Sequence, residues 1–277
     1  MTINECTISG YIGYLAGEER SAATIEKYAR DVRAFAVWLG GSDITKETAA
    51  LYKQELVPVR KAAGVNAVMA ALNSFFAYMG LEIKLKPLKV QARIFRQKEK
   101  ELTKAEYERL VRTAQSNGNE RLNLVLQTIC STGIRVSELR FITVAAAKAG
   151  EAEIRNKGKT RTVFLPKKLQ TALVRYARGR SIASGSIFVT KNGKPVDRSN
   201  IWADMKKLCA AADVPKEKVF PHNLRRLFAR AFYGIEKDIM RLADILGHSD
   251  VNTTRIYLQE NGDTHRERIN ALGLVLT

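Results

Sequence analysis

The run KLKPLKVQARIFRQKEK at positions 84–100 fits poorly inside a packed core, because it carries seven Lys or Arg against a single Glu. Pro87 also discourages a continuous helix there. Upstream of it, Ile25, Tyr28, Val32, Phe35, Ala36 and Leu39 recur at helical spacing, and Gly40-Gly41 ends the segment. A second stripe, Val65, Val68, Met69, Leu72, Phe75, Phe76 and Met79, keeps to one helical face and is closed by Gly80. These aromatics read as core, not as base-stacking platforms. The pattern predicts a small helical bundle over residues 1–83, a basic linker over 84–101 and a second domain over 102–277. A chain of 277 residues is long enough for each domain to bury its own core.

The second domain opens on Thr103-Lys104-Ala105-Glu106, a capping-box pattern. A helix through Leu122, Leu124, Val125 and Ile129 is expected to stop at Gly133. Ile154, a turn at Asn156-Lys157-Gly158-Lys159, then Thr162, Val163, Phe164 and Leu165 before Pro166 predict a β-hairpin. A helix over Leu169–Tyr176 and a short β element near Ile187-Phe188-Val189 follow, and from Arg198 the pattern is helical again. The expected fold class is mainly α with a small β-sheet or hairpin in the second domain.

Composition narrows the function classes. Lys and Arg number 46 against 28 Asp and Glu, a net charge of +18. Such a surplus points to a polyanionic partner, since basic side chains gain affinity by displacing counterions from phosphates; a charge serving only solubility is the plain alternative. No apolar run approaches the roughly 18 residues of a membrane span, and MTINECTISG lacks the basic and apolar pattern of a secretory signal. Cys6, Cys130 and Cys209 match no disulfide or metal-ligand spacing. A reducing, cytoplasmic setting without a membrane partner is expected.

Four separated segments place cations and one phenol where chemistry on a phosphodiester needs them. STGIRVSELR puts Arg135 just past the Gly133 stop. The hairpin turn carries Lys157. PHNLRRLFA sets His222 and Arg225 three apart on one helical face. Taken singly, each has an ordinary reading: a surface Arg, a solvated turn Lys, a helix-start His. The fourth is sharper. Ile239, Leu242, Ile245 and Leu246 form an amphipathic helix ended by Gly247, His248 sits in the turn, and Ser249 or Asp250 can cap the next helix. Tyr257 follows nine residues after His248, where a lone Tyr would normally be core.

In this order and spacing, the segments resemble the tyrosine recombinase, or phage integrase, family. LGHSDVNTTRIY is the most specific match, TGIRVSEL a strong one, HNLRRLFA a good one and the hairpin lysine the least specific. The resemblance spans nearly the whole chain and is nearest the short Xer-like members. It implies that residues 1–83 are a helical core-binding domain and 102–277 the catalytic domain. It implies a site-specific recombinase acting on double-stranded DNA, as a homotetramer on DNA and a monomer or weak dimer when free. The apolar tail Arg268–Leu276 would dock on a neighbour or on its own domain. No cofactor and no metal are expected.

The implied chemistry suits the residue types. Arg135 and Arg225 would clamp the non-bridging phosphate oxygens bidentately, and His248 would donate to the same phosphate. Tyr257 is the nucleophile; a free phenol has a pKa of about 10 and must lose its proton. His222 is the candidate base, with orientation of the phosphate as its alternative role. Lys157 would protonate the departing 5′-oxygen as general acid. Glu138, one helical turn beyond Arg135, would orient that arginine.

The chain departs from the family pattern at two places. Arg226 stands where many members have His, and the hairpin is one residue tighter, which makes Lys159 a substitute for Lys157. Two other readings compete: a type IB topoisomerase, and a DNA-binding regulator without catalysis.

Overall fold

The computed structural model describes residues 3–90, 98–156, 158–259 and 262–272. The chain forms two compact units, Met1–Ala92 and Arg93–Thr277. The first is built from α1 (Glu5–Gly17), α2 (Ala22–Leu39), α3 (Lys46–Val59) and α4 (Ala62–Tyr78). Asn4, Ser21 and Thr45 cap the first three through their side chains, each satisfying an otherwise unpaired N–H. The predicted stripes face inward: Val32, Phe35 and Leu39 of α2 pack with Val65, Val68, Met69, Leu72, Phe75 and Phe76 of α4, all buried. Tyr11 meets Phe75 edge-on at 5.2 Å between ring centroids. These rings fill the core, as their spacing requires.

The segment that follows α4 is tied down where it is described. Asn73 Nδ2 donates to the Leu85 carbonyl at 2.9 Å and its Oδ1 accepts from Leu85 N at 2.8 Å. Asn66, two turns earlier on α4, makes the same pair of bonds with Leu88, at 2.9 and 2.7 Å. Leu85 is buried beneath. Residues 85–88, which the charge pattern assigns to a linker, are therefore pinned to α4, with Leu85 and Leu88 turned inward and Lys84, Lys86 and Lys89 left exposed on the rim. Residues 91–97 of the basic run lie outside the described residues.

The second unit contains α5 (Lys104–Ser116), α6 (Glu120–Thr132), α7 (Val144–Ala149), β1 (Glu151–Asn156), β2 (Lys159–Phe164), α8 (Lys167–Gly179), α9 (Arg198–Ala211), α10 (Pro221–Glu236), α11 (Ile239–Leu246), α12 (Val251–Leu258) and α13 (Gly262–Ala271). The Thr103–Glu106 capping box forms with both reciprocal bonds. β1 and β2 pair antiparallel from Glu151↔Phe164 to Asn156↔Lys159. Around Ile187–Val189 the expected β element appears only as isolated bridges, Thr143↔Ser186 and Val189↔Pro195. One apolar core joins α5, α6, α8, α9 and the hairpin. A smaller cluster of Ala229, Leu242, Leu246 and Tyr257, flanked by Phe228 and Phe232, holds α10, α11 and α12 together. The fold is mainly helical with a two-stranded sheet, as expected. Among the described residues no helix is long and apolar enough to cross a membrane.

Candidate active site

The C-terminus of α11 organises the site. Gly247 takes a left-handed φ of 64°, and the helix closes with Gly247 N on the Asp244 carbonyl at 2.9 Å and His248 N on the Ala243 carbonyl at 3.0 Å. This closure leaves the carbonyls of Ile245, Leu246 and Gly247 without helical partners. An arginine takes each: Arg161 Nε donates to Ile245 at 3.2 Å, Arg225 Nη2 to Leu246 at 2.6 Å, and Arg135 Nη2 to Gly247 at 3.4 Å. Free carbonyls at the negative end of a helix attract cations. Three guanidinium groups from β2, α10 and the turn after α6 thus converge on one helix end.

Arg225 is 1% exposed. Its Nη1 also donates to the Gly133 carbonyl at the end of α6, so it joins two helix C-termini. Burial, then repulsion from Arg135, lowers its pKa to about 10, which leaves it charged at neutral pH. Arg135 caps the 3-10 turn Val136–Phe141 and is gripped by Glu138: Nη1 donates to Oε1 at 2.9 Å and the Arg135 backbone N–H to Oε2 at 2.7 Å. Arg161 donates to the same carboxylate at 3.1 and 2.8 Å. Burial alone would raise the Glu138 pKa; the bonds from Arg161 and from the Arg135 backbone outweigh it and hold the carboxyl below its usual range.

Tyr257, on α12, is buried at 8% exposure. Its hydroxyl lies 3.4 Å from His222 Nδ1. The guanidinium carbons of Arg225 and Arg226 stand 5.9 and 5.5 Å from its ring centroid, and His248 meets it edge-on at 5.1 Å. His222 occupies the first turn of α10, behind Pro221 at its start. Partial removal from water, then the charges of Arg225, Arg226, Arg135 and Arg198, lower its pKa, although the side chain still reaches solvent. His248 bridges Arg225 Nη2 at 2.9 Å and Thr254 Oγ1 at 2.8 Å. Desolvation, then Arg225, Arg135 and Arg161, pulls its pKa down to about 4.

Two cavities of about 770 and 570 Å³ share Arg135. The first is lined by Arg198, Trp202, His222 and Arg225. The second is lined by Lys159, Arg161, His248 and Ser249. Lys159 Nζ donates to Ser249 Oγ at 2.9 Å, reaching from β2 to the α11–α12 turn. Lys157 lies outside the described residues. Asp250, one of the two foreseen caps, accepts from Asn252 N at 2.9 Å and starts α12.

Of the residues singled out in the sequence, Arg135, His222, Arg225, His248 and Tyr257 share one site. Arg161 and Thr254 had not been singled out. Arg161 left one signal: it sits on the strand face of Val163, where an amphipathic hairpin should bury an apolar residue.

The model of the family described as "Phage integrase family" matches residues 100–263, more than half of the chain. The chain belongs to the phage integrase family. Tyrosine recombinase XerA of Thermococcus kodakarensis is 31% identical to this integrase-family chain over 258 residues, covering 88% of the chain and 87% of the relative. In fold, the chain is similar to a XerH site-specific recombinase bound to palindromic difH substrate in a post-cleavage complex. That likeness has a TM-score of 0.74 at 20% identity, over 88% of this chain and 78% of that one. A lambda integrase tetramer bound to a Holliday junction gives 0.73 at 18% identity, over 93% and 77%. The family member thus has the tyrosine-recombinase fold that its motifs implied.

Proposed function

We propose that this chain is a site-specific DNA recombinase that cleaves and rejoins strands through a 3′-phosphotyrosyl bond on Tyr257. The observation that carries the reading is the placement of the Tyr257 hydroxyl against His222 Nδ1, beside Arg225, Arg226 and His248 of the same chain. The scissile phosphate would sit over Arg135, where the two cavities meet. Arg135, the remaining N–H groups of Arg225, and His248 would take up charge growing on its non-bridging oxygens. Tyr257 Oη attacks phosphorus and its proton passes to His222. The P–O5′ bond breaks, and a hairpin lysine, Lys157 or Lys159, protonates the leaving oxygen. The phosphodiester energy is kept in the tyrosyl ester, so a 5′-hydroxyl from a partner strand reverses the step without ATP. The likeness to a lambda integrase seen as a tetramer bound to a Holliday junction supports four copies acting together on paired, specific DNA sites. The substrate also supports a cytoplasmic setting.

A nicked suicide substrate carrying the recognition site tests the reading. Wild-type protein should form a covalent DNA adduct, and Tyr257→Phe should form none while still binding DNA. Adduct formation by the Phe variant would assign the nucleophile elsewhere. Relaxation of plasmids lacking the site would favour a type IB topoisomerase.

A further inference from the structure

His248 faces a partner that can only donate. Arg225 Nη2 lies 2.9 Å from Nε2, and a guanidinium has no acceptor. Nε2 therefore presents its lone pair, and the proton of the neutral ring sits on Nδ1. Nδ1 lies 2.8 Å from Thr254 Oγ1, which must accept it. Thr254 has no solvent exposure, so bulk water does not compete for this bond. A phosphate receiving a bond from Nε2, however, needs a proton there.

We propose that Thr254 is a positioning residue whose hydroxyl keeps the Nδ1–H of His248 in place, so that Nε2 alone gains and loses the proton that reaches the DNA phosphate. This rests on the recombinase reading. In the free protein Nε2 accepts from Arg225. When phosphate enters, its oxygen accepts the Arg225 Nη2 hydrogen that had pointed at Nε2, Nε2 takes a proton from solvent, and the imidazolium donates to a non-bridging oxygen while Nδ1–H stays on Thr254. The charged groups that act on the ring are Arg225 of α10, Arg135 and Glu138 of the turn after α6, and Arg161 of β2, with Lys159 of β2 and Asp244 of α11 lining the same cavity; Tyr257 of α12 packs edge-on. The surplus of cations over carboxylates keeps the ring neutral until an anion arrives. Without the Thr254 hydroxyl either nitrogen can carry the proton, and the ring loses the bond that fixes its plane.

The tautomer is directly measurable. The chain has three histidines, so histidine-selective 15N labelling with His248→Asn for assignment isolates the ring. Free wild-type and Thr254→Ser protein should show a protonated Nδ1 and a bare Nε2; Thr254→Val should show a mixture or the reverse. Bound to DNA in a Tyr257→Phe background, both nitrogens should be protonated. In single-turnover cleavage the Val variant should lose roughly 10–100-fold, the scale seen when the partner orienting a metal-bound imidazole is removed, with Ser near wild type and DNA affinity unchanged. A protonated Nε2 in free wild type, a bare Nε2 in the complex, or a Val variant matching wild type in both tautomer and rate would overturn the proposal. The first measurement is made on wild-type protein, His248→Asn serving only to assign its signal. Failure of wild type to form any adduct would instead remove the recombinase reading, leaving the tautomer untouched.

Discussion

Lys159 stands two residues before Arg161 on one face of β2, and its contact with Ser249 brings a proton donor beside His248. Replacing the bridging 5′-oxygen of the substrate by sulfur provides a leaving group that needs no proton. The lysine that serves as acid is expected to show a cleavage loss of roughly 100-fold as its Ala variant, in the range of general-acid contributions, and recovery on the sulfur substrate. The other lysine should show neither. The two histidines make a second residue-level prediction. Both have folded pKa values below the ordinary 6.5, His248 at about 4. As pH falls from about 6.5 toward 4, the unfolded chain takes up these protons first, so stability present above that window is lost through it. Urea midpoints should drop more steeply over this range in wild type than in His248→Asn; equal slopes would show that His248 is not held neutral. At this scale the sequence was most readable where roles sit in contiguous runs, as in LGHSDVNTTRIY. Arg161 escaped because its partners Glu138 and Ile245 are 23 and 84 positions away. Thr254 escaped because a threonine inside a helix has no distinctive spacing; only the ring opposite it gives it a task.

At the scale of elements, helix ends matter more than helix faces. The stripes and stops of α2, α4 and α6 were legible from periodicity and glycine, whereas the use of a helix end as an arginine anchor was not, because backbone carbonyls leave no mark in a sequence. The pinning of residues 85–88 was equally hidden, since Asn66 and Asn73 look like ordinary polar positions on α4. Gly247 tests the anchor. Its φ of 64° disfavours any Cβ, and one added there would lie 2.9 Å from Cδ and Nη1 of Arg161. Gly247→Ala should cost roughly 1–3 kcal/mol from the left-handed backbone, read from urea unfolding. Single-turnover cleavage should suffer as well, because Arg161 must move away from Glu138. Full cleavage at reduced stability would show that the Arg161 contact is dispensable.

At the scale of the molecule, a net charge of +18 makes salt the governing variable of DNA affinity. Displacement of six to ten phosphate counterions predicts a loss on the order of 1,000-fold or more between 50 and 200 mM salt. Lys84, Lys86 and Lys89 on the α4 rim are expected contributors, and their triple Ala variant should flatten the slope of log affinity against log salt. An unchanged slope would remove this segment from the phosphate contacts. The arginine anchor also bears on how the site comes into being. Its bonds to α11 arrive from positions 112, 84 and 21 residues upstream, and Arg225 spans a further 92 to Gly133. Contacts so distant in sequence close late, after loop entropy has been overcome. A nascent chain can therefore cling to DNA through its charge well before it can cut, and scission waits until the last helices have been synthesised and folded home.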